Sequence, residues 1–408
     1  LEESGINTIA TEVEENADGT IASLTLNQTA PAEHPVLRPH RLAVGFYDED
    51  PATGKIVRTD RFELDVDGKS TVVAAAAGKK RPAFILVNDD DLTYTKLRFD
   101  ADSLSFALAN LQHFDDALAR AVVWLSLWDM TRDGDLAAEK FIDTTLALLA
   151  TETESTTFRY ALSCMSTTAW HYTAPDRRAD VVKHIAKELW KLVIAAPGGS
   201  DQQFQLVTAY LGYGEEGDAE FAEHAQGLFD GSLIVAGLEI DNNFTWTIIN
   251  ALSSVKLIDQ AGIDAQLAKR DTTENREFAL GAHAVRGDAA AKEWAWNEAL
   301  NNADLTNMQL EAVARGFGAT PRPDLAEPYA AKYYDVVDWV WKNKSFHMAE
   351  ALLEGLYPYY ADPATLVELG HRWLADHEDA DNALKRIVRG NVESSQRTLK
   401  VRDFNAAL

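Results

Sequence analysis

The sequence predicts a mainly α protein in which a small antiparallel β-sandwich precedes an α-superhelical, HEAT/armadillo-like solenoid. Three observations carry this. Residues 20–87 break into short runs of period-two alternation with turn residues about every ten positions, the signature of a small sandwich. From residue 100 the apolar spacing changes to that of helices, and no strand pattern interrupts it afterwards. Ten to sixteen consecutive antiparallel helices over about 300 residues cannot share one core, so they must stack in layers or close as a ring.

Composition agrees. The 408 residues are 46% hydrophobic and 25% charged, with 12 prolines and 23 glycines, which suits a packed protein of more than one domain. No apolar run approaches the ~18 residues of a membrane span, and the opening "LEESGINTIA" has neither the basic nor the apolar region of a secretion signal. Cys164 stands alone, which rules out an internal disulfide and a four-cysteine zinc site and makes a reducing cytoplasm the default setting. A formal charge of -26 repels phosphates and anionic lipids, so neither nucleic acid nor membrane is expected as a partner. The polar start without an initiator methionine reads as a piece of a longer chain or a processed terminus.

Taken in order, "TIASLTLNQ" sets Ala22, Leu24 and Leu26 on a core face against Ser23, Thr25 and Asn27. "RLAVGFY", "KIVRTDRFELDV", "STVVAAAA" and "PAFILV" follow as strands, parted by Asp48–Gly54 and Gly78–Pro82. In "LVNDDDLTYTKLRFD", Asn88 and Asp89–Asp91 interrupt the pattern as turn and capping groups rather than as cation ligands, because the spacing of a calcium loop is absent. Residues 1–96 are thus expected to form the β-sandwich domain and 97–408 the helical solenoid. "DDALARAVVWLSLWDMTRDG" begins on acids, ends on Arg132 and stops at Gly134, as a capped helix does. Further helical segments fall at 136–150, 155–172, 177–195, 203–211, 243–256, 274–286, 288–300, 324–342, 362–375 and 380–402. No fixed-period consensus recurs, which argues against tetratricopeptide and ankyrin repeats.

Motifs of chemistry are scarce. No two of the ten histidines are four residues apart, so a helix presenting two imidazoles to zinc is absent; in "HEDAD", Asp381 stands where the second histidine belongs, and the stretch reads as a solvated loop feeding the last helix. There is no Gly-x-Ser-x-Gly elbow, "APGGSDQ" lacks the lysine of a phosphate loop, and Cys164 in "ALSCMSTTAW" reads as a buried inert thiol. The ten tryptophans fall mostly at helical core positions, although a sugar-stacking role beside two carboxylates is the competing reading. Neither catalytic nor metal-ligating residues are assigned to this chain, and its binding residues stay unassigned. Arg120, inside an apolar helix, is expected to pair with an internal acid or else to line a chamber, and Asp129 and Arg132 have the spacing of a local ion pair.

Longer phrases carry a resemblance. "SGINTI", "RPHRLAVGFYD", "LVNDDDLTYTKLRFD" with "LARAVVWLSLWDMTRDGDL", "IDAQLAKRDTTENREFALGAHAV", "KEWAWNEALNNADLTNMQLEAVARGF" and "LAEPYAAKYYDVV" occur in the order found in the non-catalytic C-terminal half of the aminopeptidase N family of zinc metallopeptidases, in its actinobacterial form. The resemblance spans most of the chain. It implies a helical domain that covers a catalytic cleft, encloses a chamber and gates peptide entry, in an enzyme that removes N-terminal amino acids from peptides. It also implies that the partner of this chain is the N-terminal catalytic half, that zinc is held there and not here, and that this chain alone is inactive. The His-Glu-x-x-His and Gly-x-Met-Glu-Asn signatures are absent, and "DNNFTWTIINAL" places Thr245 where relatives usually have arginine, so no salt bridge is carried over to that helix. The joint reading of Asp89–Asp91 follows from the same resemblance. Lys385, Arg386, Arg389, Arg397, Lys400 and Arg402 crowd the last helix; they are expected to meet acidic surface, on the catalytic half or on an earlier turn of the solenoid, or simply to complement the helix end. The competing functions are a stand-alone interaction scaffold and a carbohydrate-active enzyme.

Overall fold

The computed structural model describes residues 5–408; the first residues of the stretch read above for a secretion signal, and Ser4 of "SGINTI", lie outside them. The chain divides into two compact units, residues 1–168 with Leu408, and residues 169–407.

The first unit holds seven strands among the described residues: β1 (Thr8–Glu15), β2 (Ile21–Thr29), β3 (His40–Glu49), β4 (Ile56–Val66), β5 (Ser70–Val72), β6 (Phe84–Val87) and β7 (Lys96–Arg98). They make two sheets, ordered β5-β2-β1-β7 and β4-β3-β6. His40 of one sheet joins Gln28 of the other, Nε2 to Oε1 at 3.0 Å, and the two sheets make the predicted sandwich. Four details depart from the sequence reading. β1 precedes the predicted start of the sheet region; its apolar residues Ile9 and Val13 are diluted by threonines and acids. β7 pairs with β1 in parallel, so the sandwich is not purely antiparallel. A register shift opposite Glu14/Glu15 turns Ala22 outward and gives the inward position to Ile21. "STVVAAAA" is a strand only through Val72, then winds into a tight turn at Ala74–Ala76, because alanines pack poorly on a pleated face.

Asn88 and Asp89–Asp91 form the turn after β6, but β7 still follows them, so the turn links a strand of one sheet to a strand of the other rather than handing the chain to the helices, and more than capping holds it. Asn88, Asp90 and Asp91 adopt left-handed backbone with φ of 58°, 64° and 52°, a conformation that Asn and Asp tolerate best among side-chain-bearing residues. Asn88 Oδ1 does accept the Thr93 amide. Asp89, however, is buried and accepts the Tyr47 hydroxyl at 2.6 Å and Arg58 at 2.8 Å, while Asp90 accepts Arg58 and Arg61 from β4. Gly45 of β3 makes room: a Cβ there would lie 2.5 Å from Asp89 Oδ2.

Helices α1 (Ala101–Asn110), α2 (Ala117–Asp133), α3 (Ala138–Leu149) and α4 (Ser155–Thr167) complete this unit. α2 matches its prediction closely: the Asp116 side chain accepts the Leu118 amide, and Gly134 closes the helix at φ 74°. α4 ends in a π-helical turn, Thr168–Tyr172.

The second unit runs through α5 (Arg178–Ala195), α6 (Asp201–Leu211), α7 (Ala219–Asp230), α8 (Asn242–Ser254), α9 (Gln260–Lys269), α10 (Thr273–Ala284), α11 (Ala289–Asn301), α12 (Asn307–Gly318), α13 (Pro323–Ala326), α14 (Ala330–Asn343), α15 (Phe346–Gly355), α16 (Pro363–Asp376) and α17 (Asn382–Ala406). Each packs on near neighbours in sequence, α5 on α6, α8 on α10, α10 on α12, α12 on α15, α16 on α17, which is the layered stacking expected of a solenoid. Close approach is bought by glycine at α12, where a Cβ on Gly316 would sit 2.6 Å from the Gly281 carbonyl of α10. Aspartates 218, 241, 259, 288, 362 and 381 begin six of these helices, each accepting a backbone amide of the first turn. Part of the large negative charge is therefore capping chemistry. No helix of the described residues is long and apolar enough to cross a membrane.

Candidate functional site

The end of the second unit returns to its beginning. Arg402 of α17 donates through Nε to the His171 carbonyl at 2.8 Å, Asn405 donates to the Tyr172 carbonyl at 3.3 Å, and Arg177 donates to the Asn405 carbonyl at 2.9 Å. The two routes left open above, layers or a ring, are thus both taken by this unit.

Side chains of unusual chemistry gather at the closure. "YPYYADP" between α15 and α16 cannot continue a helix past Pro358; it turns through an Ala361 amide bonded to the Pro358 carbonyl and starts α16 on Asp362. Tyr357 and Tyr359 are tied to α17, their hydroxyls meeting Ser395 at 2.8 Å and Asn391 Oδ1 at 3.1 Å. Tyr360 is left to stack on the His171 ring, centroids 4.9 Å apart at 17°. His171, Arg178, Tyr359, Tyr360 and Arg402 are each half-buried. Burial, then the charges of Arg402 and Arg178, push the His171 imidazole down to about 4, so the ring is neutral at pH 7. Burial lifts the Tyr359 and Tyr360 hydroxyls to about 12, so both stay protonated. Burial, reinforced by Arg178, lowers Arg402 to about 10. The site is then two guanidinium charges with neutral aromatic walls. It offers hydrogen-bond donors and positive potential, with no activated nucleophile, and among the described residues no three His, Cys, Asp or Glu groups are placed to hold a metal.

The residues singled out by sequence lie elsewhere, with one exception. Arg120 pairs with buried Glu152, the internal acid expected. Asp129 and Arg132 are 3.9 Å apart, a loose local pair. Cys164 is buried and its thiol is pushed up to about 12 by burial, the inert state expected. His377 of "HEDAD" ends α16, stacks on Trp373 at 4.4 Å and meets Asp338 at 2.8 Å, while Asp381 caps α17. Trp124, Trp128, Trp170, Trp246, Trp296 and Trp373 are buried as core residues, and Trp339 is 43% exposed. Thr245 back-bonds to the Asp241 carbonyl within α8. Of the basic last helix, Arg402 meets an earlier turn through the His171 backbone carbonyl and not through an acidic surface, Lys385 donates to the Glu378 carbonyl, Arg386 lies 3.8 Å from the Glu350 carboxylate of α15, and Arg389, Arg397 and Lys400 stay exposed. His171, Arg178 and Tyr360 were not foreseen. A signal existed: "DRRAD" puts two arginines at a helix start, the end of the dipole where cations are unfavourable.

Residues 84–397 match the ERAP1-like C-terminal domain family. Aminopeptidase N of Streptomyces lividans is 34% identical over 413 residues, covering 100% of this chain and 48% of that protein, so the chain spans about half the length of the curated relative it matches.

Proposed function

Because this chain belongs to the ERAP1-like C-terminal domain family, we propose that it is the non-catalytic C-terminal region of an aminopeptidase N-type zinc metallopeptidase, covering the catalytic cleft, shaping the substrate chamber and gating peptide access. The observation that carries the reading is the match along the whole chain to only 48% of an aminopeptidase N. The parent enzyme would remove N-terminal amino acids from peptides in the cytoplasm, and the partner of this region is its catalytic half. The zinc that polarises the scissile carbonyl and activates water is expected in that half. The part played by residues 97–408, the helical domain, is physical: a cover that excludes bulk water and admits only chains that fit makes each charge inside act at lower dielectric. The -26 charge would also favour peptides that arrive with a protonated amino end.

The test compares the complete enzyme with the same enzyme lacking the helical region, on a ladder of peptides from two to twenty residues. The expected result is a length cutoff in the complete enzyme that disappears on truncation, with no hydrolysis by the isolated 408-residue chain. Amide hydrolysis by the purified chain alone, or zinc retained stoichiometrically after dialysis against chelator, overturns the reading.

A further inference from the structure

Arg178 is the first residue of α5, and its Nε and Nη2 are buried with no hydrogen-bond partner among the described residues. These two nitrogens lie on one edge of the guanidinium and point their N–H bonds in parallel, the fork that matches two oxygens of one carboxylate or phosphate. Leaving both donors empty inside a protein is costly, and buried donors are nearly always satisfied. The position aggravates the cost. Arg178 sits at the positive end of the eighteen-residue α5, and the second guanidinium, Arg402, is near enough for each to depress the other's neighbour His171. Two carboxylates act on the pair electrostatically, Glu215 on Arg178 and Asp362 on Arg402, but neither forms an ion pair with them among the described residues. Asp362 is engaged with Thr365 at the start of α16. Repulsion is thus concentrated where the ring of the second unit closes, and a single anion would relieve it.

We propose that Arg178 and Arg402 form an oxyanion-binding clasp, in which a carboxylate or phosphate seated on the Arg178 fork bridges the first helix of the second unit to its last and is walled by His171, Tyr359 and Tyr360. A ligand with an apolar or aromatic body attached to its carboxylate uses the ring wall as well as the fork; a free inorganic oxyanion uses the fork alone. The clasp is independent of the aminopeptidase reading, since it concerns closure of this unit and needs no catalysis.

Titration calorimetry on the 408-residue chain with 3-phenylpropionate, its amide and inorganic phosphate, at constant ionic strength, tests the site, and amide hydrogen exchange of residues 398–405 tests the clasp. The expected result is saturable binding of an oxyanion, at least tenfold slower exchange in the last turns of α17 when it is bound, and at least tenfold weaker binding in Arg178→Met. The amide should not bind. Preference for 3-phenylpropionate assigns an organic carboxylate as the source; equal binding of phosphate assigns a free inorganic anion. Arg402→Met also removes the bond to His171, so Arg402→Lys is the companion variant, retaining charge but losing the planar fork. No saturable binding of any oxyanion, affinity unchanged in Arg178→Met, or binding that leaves the exchange of 398–405 untouched overturns the proposal.

Discussion

Arg120 in the first compact unit and Arg178 in the second are both half-buried arginines near helix starts, and the fold treats them oppositely. Arg120 lays Nε and Nη2 on Glu152 at 2.8 and 3.1 Å and gives Nη1 to the Phe114 carbonyl at 2.6 Å. Arg178 has the same edge of its guanidinium empty. Lys292 is an intermediate case: its ammonium meets no carboxylate, but the Ala284, Gly316 and Phe317 carbonyls and the Thr320 hydroxyl surround it at 2.5–3.2 Å, where α10 and α12 end and their dipoles are negative. A buried cation that meets its counter-charge inside the chain belongs to the scaffold. One that does not leaves valence for something outside.

Breaking the satisfied pair should have the largest effect. Glu152→Ala strands a buried guanidinium and should cost about 3–5 kcal/mol, read from urea midpoints at pH 7. The pair also sets an acid limit. Burial pushes the Glu152 carboxyl up, but the Arg120 hydrogen bond and the Glu154 and Thr153 amides outweigh it, and the net shift is downward. A carboxyl depressed by folding adds stability above its unfolded value, near 4.5, and loses it as pH falls through the lower folded value. Glu152→Gln should flatten that part of the acid unfolding profile; an unchanged slope below pH 4.5 would mean that the pair contributes nothing. Lys292→Met is next, at about 2–3 kcal/mol, because four oxygens lose one donor. Added ammonium should restore part of the loss in a Lys292→Ala variant. Gly45→Ala, which drives a methyl into Asp89, should cost about 1–2 kcal/mol.

Why the sequence showed one side of this comparison and not the other is a matter of range. α2 was legible because its cap, its apolar run and its stop at Gly134 lie within twenty residues. The turn at Asp89 was legible as a break, though not as a link between two strands, and Arg58 and Arg61, which hold it, are some thirty residues away. α1, α7, α9, α12 and α15 drew no prediction; in α1 and α7 the buried face rests partly on small residues, Ser103 and Ala107 in the one and Ala225 and Gly227 in the other. The closure was invisible for the strongest form of the same reason. His171 and Arg402 stand more than two hundred residues apart, and no local period connects them.

The exposed basic residues of α17 give the smallest effect and the sharpest contrast with Arg402 on the same helix. Arg389, Arg397 and Lys400 are open to solvent, where single charges seldom change stability by more than about 0.5 kcal/mol. Reversing all three to glutamate should therefore leave the urea midpoint of the 408-residue chain nearly unmoved, whereas Arg402→Met should lower it, since the bond from Nε to the His171 carbonyl is lost. If the exposed face meets an acidic surface of the catalytic half, the same triple reversal should change the salt dependence of the complete enzyme, because screening acts on attraction and repulsion in opposite senses. Activity and salt dependence identical to the parent would confine the role of these three residues to solubility and helix-end complementarity, and would leave Arg402 as the one basic residue of this group whose position in the fold is fixed by a contact across the ring.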